Sequence, residues 1–406
     1  IPPPTSSNIC SETYRGVHRR GRASVARVRP VGPLTGIRVV ELAGLGPAPF
    51  CSMLLADLGA DVIRVDRPPG TGIAGFDRVT ARNRRSLGLD LKQSVAVELL
   101  LRVVEEADVL IEGFRPGVAE RLGFGPDTCL RRNSRLVYGR MTGWGQEGPL
   151  ANRAGHDINY ISLTGALHAI GPQGGRPVPP LNLVGDFGGG ALYLAMGILA
   201  ALVERAASGR GQVIDAAMTD GASSLMTFFH EFRRRGMWGS ERGLNLLDGG
   251  APFYTTYETA DGGYVAVGAL EPQFFAELLD DLGIDRTHQP DQYDPAGWPE
   301  LRRQLEAAFR ERSRDEWSAV FADSDACVTP VLSIEEAASH PQARERNAFV
   351  EVDGFSQPGV APRFSRSRPA APRATPAVGE HSDEVLAELG LDSAEIATLR
   401  AVGAVH

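Results

Sequence analysis

Imidazole and carboxylate are the usual groups for moving protons near neutral pH, and residues 155–190 carry one of each in glycine-flanked backbone. The stretch opens with Gly155-His156-Asp157-Ile158-Asn159-Tyr160 and closes with Val184-Gly185-Asp186-Phe187-Gly188-Gly189-Gly190. A helical pattern from about 158 to 168 puts His156 at a helix N-terminus. Unpaired N–H groups there can receive a developing enolate oxygen. A longer helix is predicted over 188–207, with Asp186 just ahead of it. The chemistry implied is removal and return of a weakly acidic C–H. On spacing alone, a structural histidine and a plain helix cap at Asp186 stay open as readings. His168 and His230 are read as structural.

The elements that must position this pair follow from hydrophobic periodicity. Residues 36–42, 61–66, 108–112, 135–141 and 213–215 are short apolar, β-branched runs. Helical patterns at 49–58 and 94–107 alternate with them, which predicts βαβ units and a parallel sheet. Residues 87–92 read as an edge-like strand, and 218–235 as one helix. The turn Gly44-Leu45-Gly46-Pro47-Ala48-Pro49 resembles a dinucleotide turn, and Asp66 lies where a ribose acid would sit. The third glycine is missing, however, and two prolines remove N–H groups a pyrophosphate needs. The expectation is an α/β fold with a Rossmann-like large domain and no nicotinamide cofactor. At the end of the 108–112 run, Gly113-Phe114-Arg115-Pro116-Gly117 and then Arg121 offer phosphate ligands or ordinary surface arginines.

Farther along, residues 254–258 and 263–268 form a predicted hairpin about Asp261-Gly262, with helices over 274–282 and 299–321. Residues 250–335 are therefore read as a smaller α+β domain, with 236–249 as linker. The large domain takes 32–235 and 340–406, including a coreless Pro/Arg/Ser stretch at 358–376 and two closing helices. Residues 1–31 carry six arginines against one acid and no apolar periodicity. They read as a disordered extension or a misassigned start, although they match a transit peptide superficially.

Composition narrows the function class. The apolar fraction of 43% and charged fraction of 23% are those of a globular protein, and a net charge of −8 argues against a nucleic-acid partner. Four scattered cysteines show neither metal spacing nor a disulfide framework, so reduced thiols in a cytoplasm are expected. One lysine against 41 arginines points to a GC-rich bacterial genome. The most apolar run, near 191–203, is too short to span a bilayer and predicts a core helix. No serine-hydrolase elbow, zinc motif or phosphate loop occurs, and no metal site is expected.

Uninterrupted words at 42–47, 154–160, 184–190, 248–252 and 268–274 resemble the family III CoA-transferase superfamily, and within it the α-methylacyl-CoA racemases. The resemblance covers residues 32–368 and again 379–384. It implies an isomerase that interconverts 2R and 2S 2-methylacyl-CoA thioesters by two-base proton transfer through an enolate. It also implies an interlocked homodimer with shared active sites and no cofactor, CoA being part of the substrate. Carried over, His156 and Asp186 are the bases and the N–H of Asp157 holds the thioester oxygen. Glu271, from the partner's small domain, pairs with His156. CoA contacts fall on Arg67, on Leu89, Asp90, Leu91 and Lys92, on Gly113, Phe114 and Arg115, on Arg121, and on Gly155, Asn159 and Tyr160. The alternative is a family III CoA-transferase in which Asp186 is the acyl-accepting nucleophile. His156 separates the two, because the resembling transferases lack a histidine there.

Overall fold

A computed structural model describes residues 31–68 and 79–406; the N-terminal extension read from the sequence lies, but for Val31, outside the described residues. The large unit is built on β1 (Arg38–Leu42), α1 (Pro47–Asp57), β2 (Asp61–Asp66), β3 (Arg85–Gly88), α2 (Ser94–Glu105), β4 (Val109–Glu112), β5 (Val137–Thr142) and β6 (Val213–Ala217). These strands make one six-stranded sheet in the order β3-β2-β1-β4-β5-β6, with every pairing parallel. Side-chain alternation decides the layers. Val40, Ile63 and Leu110 face a core shared with Leu99, Leu100 and Val103 of α2. Val39, Val62 and Ile111 face the opposite core, with Leu55 of α1. The chain runs outward from β1 to β3, then returns to β4 on the other side of β1. Strand order therefore reverses between β1 and β4, and a crevice opens at their carboxyl ends.

Several expected elements are subdivided. The short helices α3 (Val118–Leu122) and α4 (Pro126–Arg132) link β4 to β5. The pattern at 158–168 resolves into α5 (Asp157–Ser162) and α6 (Ala166–Ala169). The helix expected over 188–207 begins earlier. Leu183–Leu192 is wound as a π-helix and runs on without a break into α7 (Tyr193–Ser208). This continuous Leu183–Ser208 helix is long and apolar enough, by length and composition, to cross a membrane. Here it packs against α1, α8 and the sheet, and Arg205 near its end ion-pairs with Asp108 at 2.8 Å. The helix is longer than the apolar run suggested, and one side of it, with Leu194, Ile198 and Ala201, joins the core while Leu192, Met196 and Val203 on it are exposed. The segment read as one helix over 218–235 is α8 (Met218–Leu225) followed by α9 (Thr227–Arg234).

The smaller unit opens with the antiparallel hairpin β7 (Tyr254–Glu258) and β8 (Tyr264–Gly268), turning through Asp261-Gly262. β9 (Val328–Pro330) adds on the other side of β8. Helices α10 (Pro272–Asp281), α11 (Trp298–Phe309) and α12 (Arg314–Val320) cover the sheet around an aromatic core of Phe253, Tyr257, Phe309 and Trp317. After α13 (Ile334–Ala337) and α14 (Pro341–Glu345) comes a hairpin the sequence did not reveal, β10 (Phe349–Val352) with β11 (Phe355–Pro358). The chain then returns to the large sheet. Val385 and Leu386 of α15 (Ser382–Glu388), with Ile396 and Leu399 of α16 (Ser393–Ala401), share the core of Val40 and Leu100. Arg85 binds Glu384 and Glu388 at 2.9 Å each, fastening α15 to β3.

The sheet also buries charge. Glu41 of β1 and Arg84, just ahead of β3, pair at 2.9 Å with both side chains at 0% exposure. Burial pushes the Glu41 carboxyl up, against the pull of Arg84. Arg84 also donates to the carbonyls of Arg82 (3.0 Å) and Pro49 (2.5 Å), joining α1 to the segment before β3. Removing one partner strands the other charge. Arg84→Met is expected to lower unfolding free energy in urea by about 3–5 kcal/mol. Adding Glu41→Leu should return much of that loss. A single variant as stable as the parent would show that the carboxylate is solvated here after all.

Candidate active site

Asp186 lies in the π-wound segment, which rests on α8 at backbone contact distance. A Cβ on Gly189 would stand 2.5 Å from Ala222 N, and one on Gly221 would stand 1.8 Å from Gly189 O. Only glycine allows that approach. The segment is thereby lowered onto the β1–α1 turn, where Asp186 Oδ2 lies 3.5 Å from the Cβ direction of Gly46. The carboxylate is half-buried at the crevice between β1 and β4. Asn182 Nδ2 donates to its Oδ2 at 3.1 Å, and the Asp186 N–H donates to Asp157 Oδ1 at 2.7 Å. Burial raises the Asp186 carboxyl above its ordinary range. The Asn182 bond lowers it, the Asp157 charge raises it, and His156 lowers it.

His156 caps α5 in extended backbone and is exposed. Its N–H donates to Asn159 Oδ1 at 3.1 Å, which orients the cap. The first N–H groups of α5, that of Asp157 among them, have no intrahelical carbonyl to bond. The Asp157 side chain is buried, and its Oδ2 has no partner among the described residues. Tyr160 is a wall of the site: its hydroxyl donates to Gly155 O, and its ring meets Trp144 edge-on at 4.8 Å. Its phenol is pushed up by burial and by Asp186, and pulled down by Arg115. Imidazole, carboxylate, phenol and guanidinium thus share one electrostatic neighbourhood.

Arg115 comes from the loop after β4, on the other lip of the crevice. Buried Glu112 shapes that loop. One carboxylate oxygen takes Arg140 Nε at 2.9 Å, and the other takes the Phe114 N–H at 2.6 Å. Gly113 abuts the β1–α1 turn, with Ala48 Cβ 3.5 Å from its Cβ direction. The Arg121 guanidinium folds back over the loop, 3.2 Å from the Cβ direction of Gly117. Both arginines are exposed, as are Arg67 beyond β2 and Lys92. The expected ligand stretch 89–92 mixes buried and exposed side chains. The Leu89 side chain is core, and its N–H is taken by Asp66 O at 3.0 Å. The Asp90 carboxylate is taken by the Lys92 N–H and by Gln93 Nε2, each at 3.2 Å, and Leu91 is half-buried. Lys92 is the exposed side chain of that run.

Glu271 caps α10 and is exposed. Its electrostatic neighbours are Tyr293 and Cys327 of the smaller unit. Among the described residues, no hydrogen bond or ion pair joins it to His156 within one chain. The sequence reading overlooked Asn182, Glu112 and the Asp157 side chain. The Asn182–Asp186 spacing of one helical turn was an available signal. The reach of Asp157 across 29 positions had none. No group of three histidine, cysteine or acidic residues among the described residues is placed to hold a metal ion.

Fold and site together define an α/β protein whose neighbouring imidazole and carboxylate sit where a parallel sheet reverses its strand order. The chain belongs to CoA-transferase family III, whose family model matches residues 34–382. It is 51% identical over 370 residues to the alpha-methylacyl-CoA racemase of Mus musculus, covering 90% of this chain and 96% of the relative. Identity to the Homo sapiens alpha-methylacyl-CoA racemase is 46%, covering 89% and 95%. The crystal structure of a CAIB/BAIF family protein from Brucella suis superposes with a TM-score of 0.77 at 28% identity, covering 88% of this chain and all of that one.

The contact between Asp157 and the Asp186 segment leaves no room for an added methyl. A Cβ on Gly185 would stand within bonding repulsion of Asp157 Oδ1. Gly185→Ala is expected to keep the circular dichroism spectrum while lowering turnover about 10²-fold through misplacement of Asp186. Unchanged kcat would show that Asp157 does not orient Asp186.

Proposed function

We propose that the protein is an α-methylacyl-CoA racemase that interconverts the 2R and 2S forms of 2-methylacyl-CoA thioesters. The observation that carries this is the placement of His156 and Asp186 in one electrostatic neighbourhood at the sheet crevice, in a chain about half identical to two such racemases. A thioester α-proton is weakly acidic, so its removal needs a positioned base and a stabilised enolate. His156 takes or returns the proton on one face of the α-carbon, and Asp186 serves the other. The enolate oxygen lies at the N-terminus of α5, where the Asp157 N–H points outward. Burial of Asp186 favours its protonated form and so brings its affinity for a proton nearer the working pH.

CoA enters as part of the substrate, and no resident cofactor is invoked. Arg115 and Arg121 on one lip, with Arg67 and Lys92 along the sheet edge, supply exposed cations for its phosphates. The site is completed in a homodimer, where the partner subunit's Glu271 meets His156. Support for a second copy comes from the Leu183–Ser208 helix, only 39% of whose most apolar stretch is buried within one chain. Leu192, Met196 and Val203 lie exposed beside Leu54 and Leu58 in one groove of about 760 Å³. The arginine bias and scattered cysteines favour a bacterial, cytoplasmic protein.

The test is incubation of one 2-methylacyl-CoA enantiomer in D2O. Deuterium at C2 and appearance of the other enantiomer, with no CoA acceptor present, are expected. Product formed only after adding a carboxylate acceptor would make the protein a transferase acting through Asp186. His156→Ala and Asp186→Ala should each lower racemisation by at least about 10²-fold, and full activity in either rules out the two-base scheme.

A pH profile tests the electrostatics. The Asp157 carboxylate holds the Asp186 carboxyl up. Asp157→Asn keeps an oxygen for the Asp186 N–H and removes the charge. The limb on which Asp186 must ionise should then move to lower pH. A shift to higher pH would contradict the assignment.

A further inference from the structure

Glu271 presents its carboxylate without side-chain help. It makes no side-chain hydrogen bond among the described residues, so its direction is set by the backbone at the end of β8. That backbone is held in an unusual way. Chain leaving β8 turns tightly, with the Leu270 N–H on Gly268 O at 2.9 Å. The carbonyls of Ala269 and Leu270 then have no strand or helix to enter. Two consecutive side chains from the loop between α10 and α11 take them. Gln292 Nε2 donates to Ala269 O at 3.0 Å and to Leu270 O at 2.9 Å. The Tyr293 hydroxyl donates to the same Leu270 O at 2.5 Å. The Leu270 carbonyl belongs to the peptide unit whose nitrogen is that of Glu271, so two donated bonds fix the plane from which Glu271 departs, and the third holds the peptide before it.

The loop is itself anchored. Trp298 Nε1 donates to Gln292 O at 3.0 Å, and the fully buried Phe253 ring meets Tyr293 and Trp298 edge-on at 5.7 and 6.0 Å. Gln292 orients its amide for these carbonyls although its own Oε1 is then enclosed without a partner. An unpaired buried oxygen is unfavourable, so the orientation is held by what the amide nitrogen binds. The Tyr293 phenol is raised by burial first and then by the Glu271 charge, which keeps it a donor and places it beside that carboxylate.

We propose that Gln292 and Tyr293 form a clasp that positions Glu271 for the assembled site, acting through the Leu270 carbonyl and touching no substrate. This rests on the reading that Glu271 serves the proton-transfer site. The clasp sets the angle at which the acid meets the imidazole of the other subunit and has no part in holding CoA. Its loss should therefore appear in kcat and leave KM alone.

The experiment is a double-mutant cycle on the full-length enzyme. Racemisation is followed by deuterium exchange at C2 for Tyr293→Phe, Gln292→Leu and Glu271→Ala, and for the first two in the Glu271→Ala background. Tyr293→Phe, at a half-exposed ring, keeps the fold. The clasp predicts a kcat about tenfold lower in each single clasp variant, with KM for the acyl-CoA within about twofold. In the Glu271→Ala background neither substitution should lower kcat further. Equal losses in both backgrounds would overturn the proposal and make the loop an ordinary structural support. Parental kcat in Tyr293→Phe and Gln292→Leu would overturn it too. A Glu271→Ala enzyme with parental turnover would remove Glu271 from the site. That result differs from failure of the clasp alone, in which Glu271→Ala is impaired.

Discussion

A single hydrogen bond, from the backbone N–H of Asp186 to the buried carboxylate of Asp157 at 2.7 Å, joins the two halves of the candidate site. Asp157 is the first residue of the helix that His156 caps, so the bond ties the imidazole-bearing segment to the carboxylate-bearing one. It needs two concessions from the surrounding chain. Gly185 must lack a side chain where Asp157 arrives, and the Asp186 segment must lie low enough on α8 to be reached. The side-chain-free meeting of Gly189 and Gly221 supplies the second, in a segment wound as a π-helix. Such winding is rare and clusters at functional positions because it shifts the direction of the side chains it carries. The negative charge on Asp157 then acts back on Asp186, adding to the upward push of burial, so that one contact bears on both position and proton affinity.

The sheet beneath uses the same device. Acids stand at or near the carboxyl ends of its strands, and each is held by an arginine: Glu41 by Arg84, Asp66 by Arg64, Glu112 by Arg140. Buried ion pairs of this kind contribute little net stability, since desolvation offsets the attraction. Their value here is directional. Glu112 turns one oxygen to Arg140 and the other to the Phe114 N–H, which sets the loop carrying Arg115. Arg84 binds carbonyls of α1 and of the segment before β3, and so shapes the other side of the crevice. A lip with a defined outline can offer Arg115 and Arg121 to a phosphate while Tyr160 and Trp144 close the wall behind.

The smaller unit stands apart in its packing. It has its own aromatic core, and its exposed acid Glu271 neighbours Tyr293 and Cys327 of the same unit while making no side-chain hydrogen bond among the described residues. An exposed acid with a fixed backbone, together with an apolar helix left partly open, is what the proposed second copy would have to meet. On the proposed function the two-domain architecture has a chemical reason. One unit would hold the thioester and the two bases, and the other would bring a charge to the imidazole.

Much of this was legible in residue order. Short apolar, β-branched runs marked all six strands of the large sheet to within a few residues, and the glycine-flanked His156 and Asp186 stood out by type. Arg115 was recognisable from its place after a buried strand. The Asp261-Gly262 hairpin was marked by its turn residues. These features are local, and local sterics and burial decide them. The breaks between α5 and α6 and between α8 and α9, the π-helical winding and the β10–β11 hairpin were not visible, because each depends on what packs against it. The same holds for the core role of Leu89, which comes from a β-bridge to Val405 more than 300 positions away. By itself the sequence determined which groups can carry a proton and the kind of sheet that displays them. Only the tertiary structure decided that Asp157 would reach Asp186 and that Gln292 and Tyr293 would hold the approach to Glu271. Contacts between distant positions form when two surfaces meet, and no spacing along the chain records them.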